Sequence, residues 1–266
     1  MSLSAREREQ ALEVALAAAR EAGALQLPAL GRLDRARIGT KSAARDLVTE
    51  VDVASERCLV RHLRAAFPAH AIEAEEEVND AERGAPRWFL DPLDGTVNFV
   101  HGLPAFAVSM GLFVDGVPEL AVVHAPRLGE TFHALRGGGA WLGAERLAVS
   151  ATAELGEAVL ATGFPYRRHE LSPNNLENFS ALFLAVRDLR RVGSAALDLA
   201  YVAAGRLDGF WELYLAPHDV AAGALLVREA GGIVRDVDGG EDWLRGGHIV
   251  AANPHLFETI RSRVRK

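Results

Sequence analysis

The sequence predicts an α+β fold built from layers of helix and sheet, and three observations carry that expectation. Apolar residues recur at helical spacing through the first part of the chain, short apolar runs between Gly and Pro turns fill the middle, and helical and strand-like segments alternate in the last part. With 266 residues, 49% of them apolar and 24% charged, the chain has the composition and length to bury a full core.

The elements follow in order. Leu12, Leu16 and Ala19 lie between charged residues in 4–22 and predict an amphipathic helix that Gly23 ends. A second helix is expected after Asp52, with Leu59 and Leu63 four apart on one face and Pro68 as its stop, and an acidic loop follows at 73–77. Between Arg87 and Phe164, the runs 88–90, 106–114, 120–123, 131–135 and 159–161 read as sheet. Helices are then expected at 176–183, 194–204 and 220–230, and strands at 208–212, 233–237 and 249–251. No low-complexity linker interrupts the chain, so one domain over 1–266 is expected. A faint boundary near 150 separates an α+β half (1–150) from an α/β half (151–266).

Composition narrows the function. A net charge of -7 argues against a general nucleic-acid or acidic-membrane binder, both of which need clustered Lys and Arg. Cys58 is the only cysteine, which rules out an intrachain disulfide, and no paired Cys and His spacing of a zinc site is apparent. The charged residues Arg6 to Glu9 do not read as a signal peptide and no apolar run reaches bilayer length, so a cytoplasmic protein is expected. Neither a P-loop, a dinucleotide fingerprint nor a GxSxG elbow is present.

The most informative segment is Trp88-Phe-Leu-Asp91-Pro-Leu-Asp94-Gly-Thr96-Val-Asn98-Phe. An apolar run delivers Asp91 to the end of a strand, Pro92 stiffens the turn, and Asp94 returns three residues later beside the permissive Gly95. The two carboxylates, with the Leu93 carbonyl between them, offer the hard oxygen ligands that Mg²⁺ prefers. A helix starting at Gly95 or Thr96 would direct backbone N–H groups at a phosphate in the same place. Taken singly, each Asp reads equally as a surface turn residue. Haloacid-dehalogenase-like phosphatases set their two Asp residues two apart, whereas here the carboxylates are three apart, which argues against that mechanism.

A second constellation, Pro217-His218-Asp219-Val-Ala-Ala-Gly223, opens a helix. There Asp219 reads as an N-cap, a metal ligand or both, and Asp52 and Ser194 carry the same capping reading. Glu75, Glu76 and Glu77 read in isolation as a solvated acidic loop.

Taken together, these segments resemble the inositol monophosphatase family, the bacterial inositol-1-monophosphatase type most closely. The resemblance covers almost the whole chain. Its pieces are Lys41-Ser42, Asp46-Leu-Val-Thr-Glu-Val-Asp52, Glu75-Glu76, Asp91 to Gly102, Arg191-Val-Gly193-Ser194-Ala195-Ala196, Asp208-Gly-Phe-Trp-Glu212 and His218 to Gly223, in the family's order.

The resemblance implies a layered α/β/α/β/α sandwich of the inositol monophosphatase and fructose-1,6-bisphosphatase type. It implies hydrolysis of a small polyol or sugar phosphate monoester, inositol 1-phosphate first, by activated water without a phosphoenzyme. It places a first Mg²⁺ on Glu75, Asp91 and the Leu93 carbonyl, a second on Asp91, Asp94 and Asp219, and a third, weaker ion near Glu75 and Glu76. Thr96 and Asp52 become the dyad that orients the attacking water, Gly95 and Thr96 the phosphate cradle, and Glu212 with Gly193, Ser194 and Ala195 the wall that meets substrate hydroxyls. A homodimer and sensitivity to lithium are also implied.

Two positions depart from the family pattern, Ala74 where Gly is usual and His218 where Trp is usual; neither removes a ligand. Fructose 1,6-bisphosphate, a nucleoside bisphosphate, histidinol phosphate and a nicotinamide dinucleotide phosphate stay open as substrates. Reported roles of bacterial relatives add a regulatory binding module for the transcription or RNA-processing machinery, for which Arg187, Arg190 and Arg191 would be the local basic patch.

Overall fold

The structure is a computed structural model and describes residues 3–33, 38–41, 46–81 and 84–266; Ser42 of the quoted motifs lies outside them. Helix α1 spans Ala5–Gln26, opened by a capping box in which the Ser4 hydroxyl and the Glu7 carboxylate each accept the other residue's N–H. Its buried face is made of small residues, Ala11, Ala15, Ala18, Ala19 and Ala22. Gly23 does not end this helix, contrary to the sequence expectation. A Cβ there would lie 2.8 Å from the His124 ring and 2.9 Å from Pro126, so the glycine is required by close packing.

Helix α2 spans Glu50–Ala66 and stops at Phe67, one residue before Pro68. Its cap is Thr49 and not Asp52; Asp52 stands at the third helical position, where its carboxylate accepts the Thr49 N–H at 2.9 Å.

Seven strands form the larger sheet: β3 (Ala71–Ala74), β4 (Arg87–Asp94), β5 (Ala107–Val114), β6 (Val117–Ala125), β7 (Glu130–Leu135), β8 (Gly139–Leu142) and β9 (Glu145–Arg146), in that order. Only β3 and β4 pair in parallel; the rest are antiparallel. Short β1 (Gly39–Thr40) and β2 (Leu47–Val48) pair separately. The acidic segment begins inside β3, because Glu73 and Ala74 pair with Phe89 and Leu90.

The two-residue side-chain period sorts the strands. Trp88, Leu90, Val108, Met110, Leu120 and Val122 pack under α1 and α2, while Phe89, Ala107, Ala121 and Val123 face the opposite side.

That opposite side is covered by α5 (Ala195–Ala203) and α6 (Pro217–Glu229). Both are buried almost all round, as helices held between two sheets must be. Beyond them lies the second sheet: β10 (Val159–Thr162), β11 (Asp188–Arg190), β12 (Gly209–Leu213), β13 (Ile233–Arg235) and β14 (His248–Ala252), in the order β11-β10-β12-β14-β13. Residues 159–161, grouped in the sequence with the preceding strands, therefore belong to this other sheet. The outer layer is α4 (Leu176–Phe183) and α7 (Phe257–Arg261), whose Leu182, Phe257 and Ile260 pack on Trp211 and Val250. The order of layers is α/β/α/β/α, the sandwich that the sequence resemblance implies.

Candidate functional site

The site is built where β4 runs out. The buried run Trp88-Phe89-Leu90 carries Asp91 to the strand end, and the pairing with β5 breaks register between Asp91 and Asp94, so that both carboxylates turn to one side. The Leu93 N–H donates to Asp91 Oδ1 at 2.9 Å and fixes the turn. Gly95 follows at φ 95°, where a Cβ would also lie 2.9 Å from the Ala105 carbonyl oxygen. The short helix α3, Thr96–Val100, starts there, as the segment predicts.

Asp219 arrives from the second half. It occupies the third position of α6, not the N-cap; the cap position is Ala216, whose N–H donates to Asp219 Oδ2 at 2.6 Å. Asp94 is held by the same half, its Oδ2 accepting from Ser194 Oγ at 2.6 Å and from the Ala196 N–H at 2.7 Å.

Asp91, Asp94 and Asp219 offer oxygen atoms that all lie within 4.8 Å of one another. Burial, reinforced by Glu75, Asp94 and Asp219, drives the Asp91 carboxyl well above the usual carboxylate range. Burial and the Asp219 charge push Asp94 up to about 7, and burial raises Asp219 against the nearby His218. Two buried carboxylates and a half-buried one this close together disfavour full ionisation without a cation, and their hard oxygens match Mg²⁺.

Glu75 joins them through backbone pairing, since its N–H donates to the Leu90 carbonyl at 3.1 Å and extends β3 alongside β4. The turn that follows is organised by a residue the sequence reading did not single out. Buried Glu56, four residues after Asp52 on α2, accepts the N–H groups of Glu76, Glu77 and Val78 at 2.7, 2.8 and 2.9 Å. The i,i+4 relation of Asp52 and Glu56 was the available signal.

Lys41 Nζ bridges Glu75 Oε1 at 2.7 Å and Glu76 Oε1 at 2.5 Å. Burial would raise the Glu75 carboxyl, but His218 and Lys41 outweigh it and hold it below its ordinary value; Glu76 is pushed by burial to about 7.

Asp52 and Thr96 meet as the resemblance implies, the Thr96 hydroxyl lying 3.0 Å from Asp52 Oδ1 and 3.2 Å from the Leu93 carbonyl oxygen. Asp52 Oδ2 accepts from the Thr49 hydroxyl as well as its N–H, and burial raises the acid despite these bonds. Gln26, the last residue of α1, donates to the Pro92 carbonyl at 2.7 Å and so supports the turn from behind.

These groups border a cavity of about 380 Å³. Its lining includes Glu75, Asp91, Leu93, Asp94, Gly95, Thr96 and Asp219 together with Gly193, Ser194, Ala195 and Glu212; Asp52 and Glu76 stand behind Thr96 and Lys41. Burial raises Glu212 to about 8, opposed by Arg191 and reinforced by Asp219 and Asp94.

Room for Glu212 comes from Gly163, where a Cβ would fall 2.1 Å from its carboxylate oxygens. Asn98 Nδ2 donates to the Ala105 and Val192 carbonyls at 2.6 and 2.9 Å, tying α3 to the Gly193 loop. Ser194 caps α5 as expected, accepting the Leu197 N–H. His218 borders the cavity with Nε2 3.7 Å from Asp219 Oδ1. A larger cavity of about 770 Å³ lies elsewhere, beside the Glu73–Arg245 ion pair; Asp91, Asp94 and Asp219 do not line it.

Comparison with known proteins places this geometry. A sequence profile of the inositol monophosphatase family matches residues 7–266. The chain is 47% identical over 260 residues to the Nus factor SuhB of Pseudomonas aeruginosa, covering 95% of each chain. It is 44% identical over 256 residues to the Nus factor SuhB of Escherichia coli, covering 96% of this chain and 95% of that one. Among solved structures, the inositol monophosphatase from Anabaena (Nostoc) superposes with a TM-score of 0.87 at 38% identity, over 96% of this chain and 95% of that one. The extragenic suppressor protein suhB from Bartonella henselae superposes with a TM-score of 0.89 at 38% identity, over 97% and 99%. Sequence and fold agree over nearly the whole length, and the chain belongs to the inositol monophosphatase family.

Proposed function

We propose that this protein hydrolyses a small polyol phosphate monoester, inositol 1-phosphate foremost, with Mg²⁺ held by Glu75, Asp91, the Leu93 carbonyl, Asp94 and Asp219. The observation that carries this reading is the convergence of Asp91, Asp94 and Asp219 within 4.8 Å in a cavity that Glu212 also lines. A cavity of about 380 Å³ suits a small substrate.

Bound Mg²⁺ supplies charge neutralisation for the phosphoryl group and lowers the pKa of water. The protein's own groups do the rest. The Thr96 hydroxyl directs its hydrogen to Asp52 Oδ1 and turns its lone pairs to the attacking water, so that the proton leaves toward the Thr96–Asp52 pair. Burial raises Asp52 and makes it a better proton acceptor near neutral pH. The backbone of Gly95 and Thr96 orients the phosphate, and Glu212 accepts hydrogen bonds from substrate hydroxyls beside Gly193, Ser194 and Ala195. Glu76, behind Lys41, would attract a third, weaker ion once Lys41 moves aside.

The test is kcat/KM at fixed Mg²⁺ across a monoester panel containing inositol 1-phosphate, fructose 1,6-bisphosphate, a nucleoside bisphosphate, histidinol phosphate and a nicotinamide dinucleotide phosphate. Inositol 1-phosphate is expected to lead; a clear lead for another member reassigns the substrate and leaves the chemistry. Inhibition by lithium and the mass of a homodimer in sedimentation belong to the same reading.

A second reading is favoured by the name Nus factor carried by relatives 47% and 44% identical to this chain. It adds a binding role with the transcription machinery. Arg187, Arg190 and Arg191 are all exposed, but Arg190 ion-pairs with Asp188, Arg191 borders the substrate cavity and the net charge is -7, which favours a protein partner over RNA. Protein that releases no phosphate from any panel member with Mg²⁺ would make this the main role.

A further inference from the structure

Away from the acidic cavity, the seam between α1 and α2 brings together three side chains of different chemistry. Cys58 and His62 stand four apart on α2 and share a face, and Glu21 faces them from α1. Cys58 Sγ, a ring nitrogen of His62 and a Glu21 carboxylate oxygen all lie within 4.8 Å of one another. The sequence reading found no zinc-like spacing because Cys58 and His62 supply only two donors and the third comes from another helix.

We infer that Glu21, Cys58 and His62 form a binding site for a borderline divalent cation of the Zn²⁺ class, stapling α1 to α2. Thiolate, imidazole and carboxylate are the three donor types that Zn²⁺ accepts, at bond lengths of about 2.0–2.3 Å, which sets tetrahedral donors about 3–4 Å apart. The present spacing, within 4.8 Å, is slightly wider and closes on binding.

A stand-in cation already occupies the place. Arg61 Nη2 lies 2.5 Å from Glu21 Oε1 and 3.6 Å from Cys58 Sγ, while His62 Nε2 lies 2.7 Å from Glu21 Oε2. The Arg61 side chain is 64% exposed, so it can swing into solvent and give up its contact with the sulfur. On binding, the Cys58 thiol releases its proton to solvent and the thiolate and carboxylate together balance the two positive charges. Water completes the fourth position.

The chain has one cysteine, so any thiolate signal reports this site alone. The probe is Co²⁺ titrated into the full chain, read by the thiolate-to-cobalt charge-transfer absorption in the near ultraviolet and by competition with Zn²⁺. The expected result is a band saturating at one Co²⁺ per chain and erased by Zn²⁺. It disappears in Cys58→Ser, weakens at least about tenfold in affinity in His62→Asn and Glu21→Gln, and persists in Asp91→Asn, which separates it from the acidic cavity. His62 and Glu21 reach solvent, so their variants carry the test even if Cys58→Ser fails to fold. No band at saturating Co²⁺, or an affinity unchanged in both His62→Asn and Glu21→Gln, overturns the assignment.

Discussion

The Ser194 hydroxyl donates to Asp94 Oδ2 at 2.6 Å, so a residue that caps a helix of the second half also fixes a carboxylate delivered by a strand of the first. Removing that hydroxyl leaves a buried carboxylate with one fewer donor, an effect worth about 1.5–3 kcal/mol for a charged group. Ser194→Ala is expected to lower kcat/KM by about ten- to a hundredfold, with a weaker apparent affinity for Mg²⁺. Steady-state kinetics over a Mg²⁺ series measure both, and an unchanged Mg²⁺ dependence would count against this role.

Burial of the site acids, reinforced by their mutual repulsion, makes stability depend on pH in a defined direction. Burial raises Asp94 from 3.8 to about 7 and Glu212 from 4.5 to about 8. Their neutral forms stabilise the ion-free protein fully below about pH 4, and that contribution is lost as pH rises through about 7 and 8. The melting temperature of chelated protein should therefore fall across this window, saturating Mg²⁺ should restore it, and Asp94→Asn should flatten the slope. A slope identical in wild type and variant, with no response to Mg²⁺, refutes the coupling.

Gly163 and Glu212 form a matched pair, because any Cβ at Gly163 would overlap the carboxylate at 2.1 Å. Gly163→Ala is expected to displace Glu212 and raise KM for a polyol phosphate about tenfold or more, while Glu212→Gln should change the ranking of substrates more than phosphate binding. Product inhibition by inorganic phosphate provides the control. Equal losses for every panel member in Glu212→Gln would mean that it does not select substrate.

Glu56 takes three backbone N–H groups from the turn after Glu75. Glu56→Ala leaves those donors to partial solvation and should cost about 2–3 kcal/mol in denaturant unfolding, with loss of Mg²⁺ affinity. A variant as stable and as active as the wild type would show that the turn holds itself.

The sequence made some of this legible for local reasons. Asp91, Asp94 and Gly95 share one turn, so their spacing and the permissive glycine already imply convergence, and the strand-turn-helix context is as expected. Asp219 and Glu212 lie more than a hundred residues further on, and local pattern gave them only as a helix cap and a strand residue; family resemblance supplied the rest. Gly23 was misread because a glycine needed for close packing on His124 looks the same in sequence as one that ends a helix. Asp52 reads as a cap in the sequence because the residue that caps, Thr49, stands only three positions earlier. Glu56 and Gly163 were missed because what they do depends on contacts with distant backbone or side chain, which no local period records.

The most direct test of the metal-dependent phosphatase reading is phosphate release from inositol 1-phosphate by wild type and by Asp91→Asn, with Mg²⁺ and with chelator. Asn preserves the acceptor for the Leu93 N–H, so the turn should survive while the charge is lost. Release that requires Mg²⁺, stops with chelator and falls at least about a hundredfold in the variant is the predicted result; undiminished turnover in folded Asp91→Asn would contradict it.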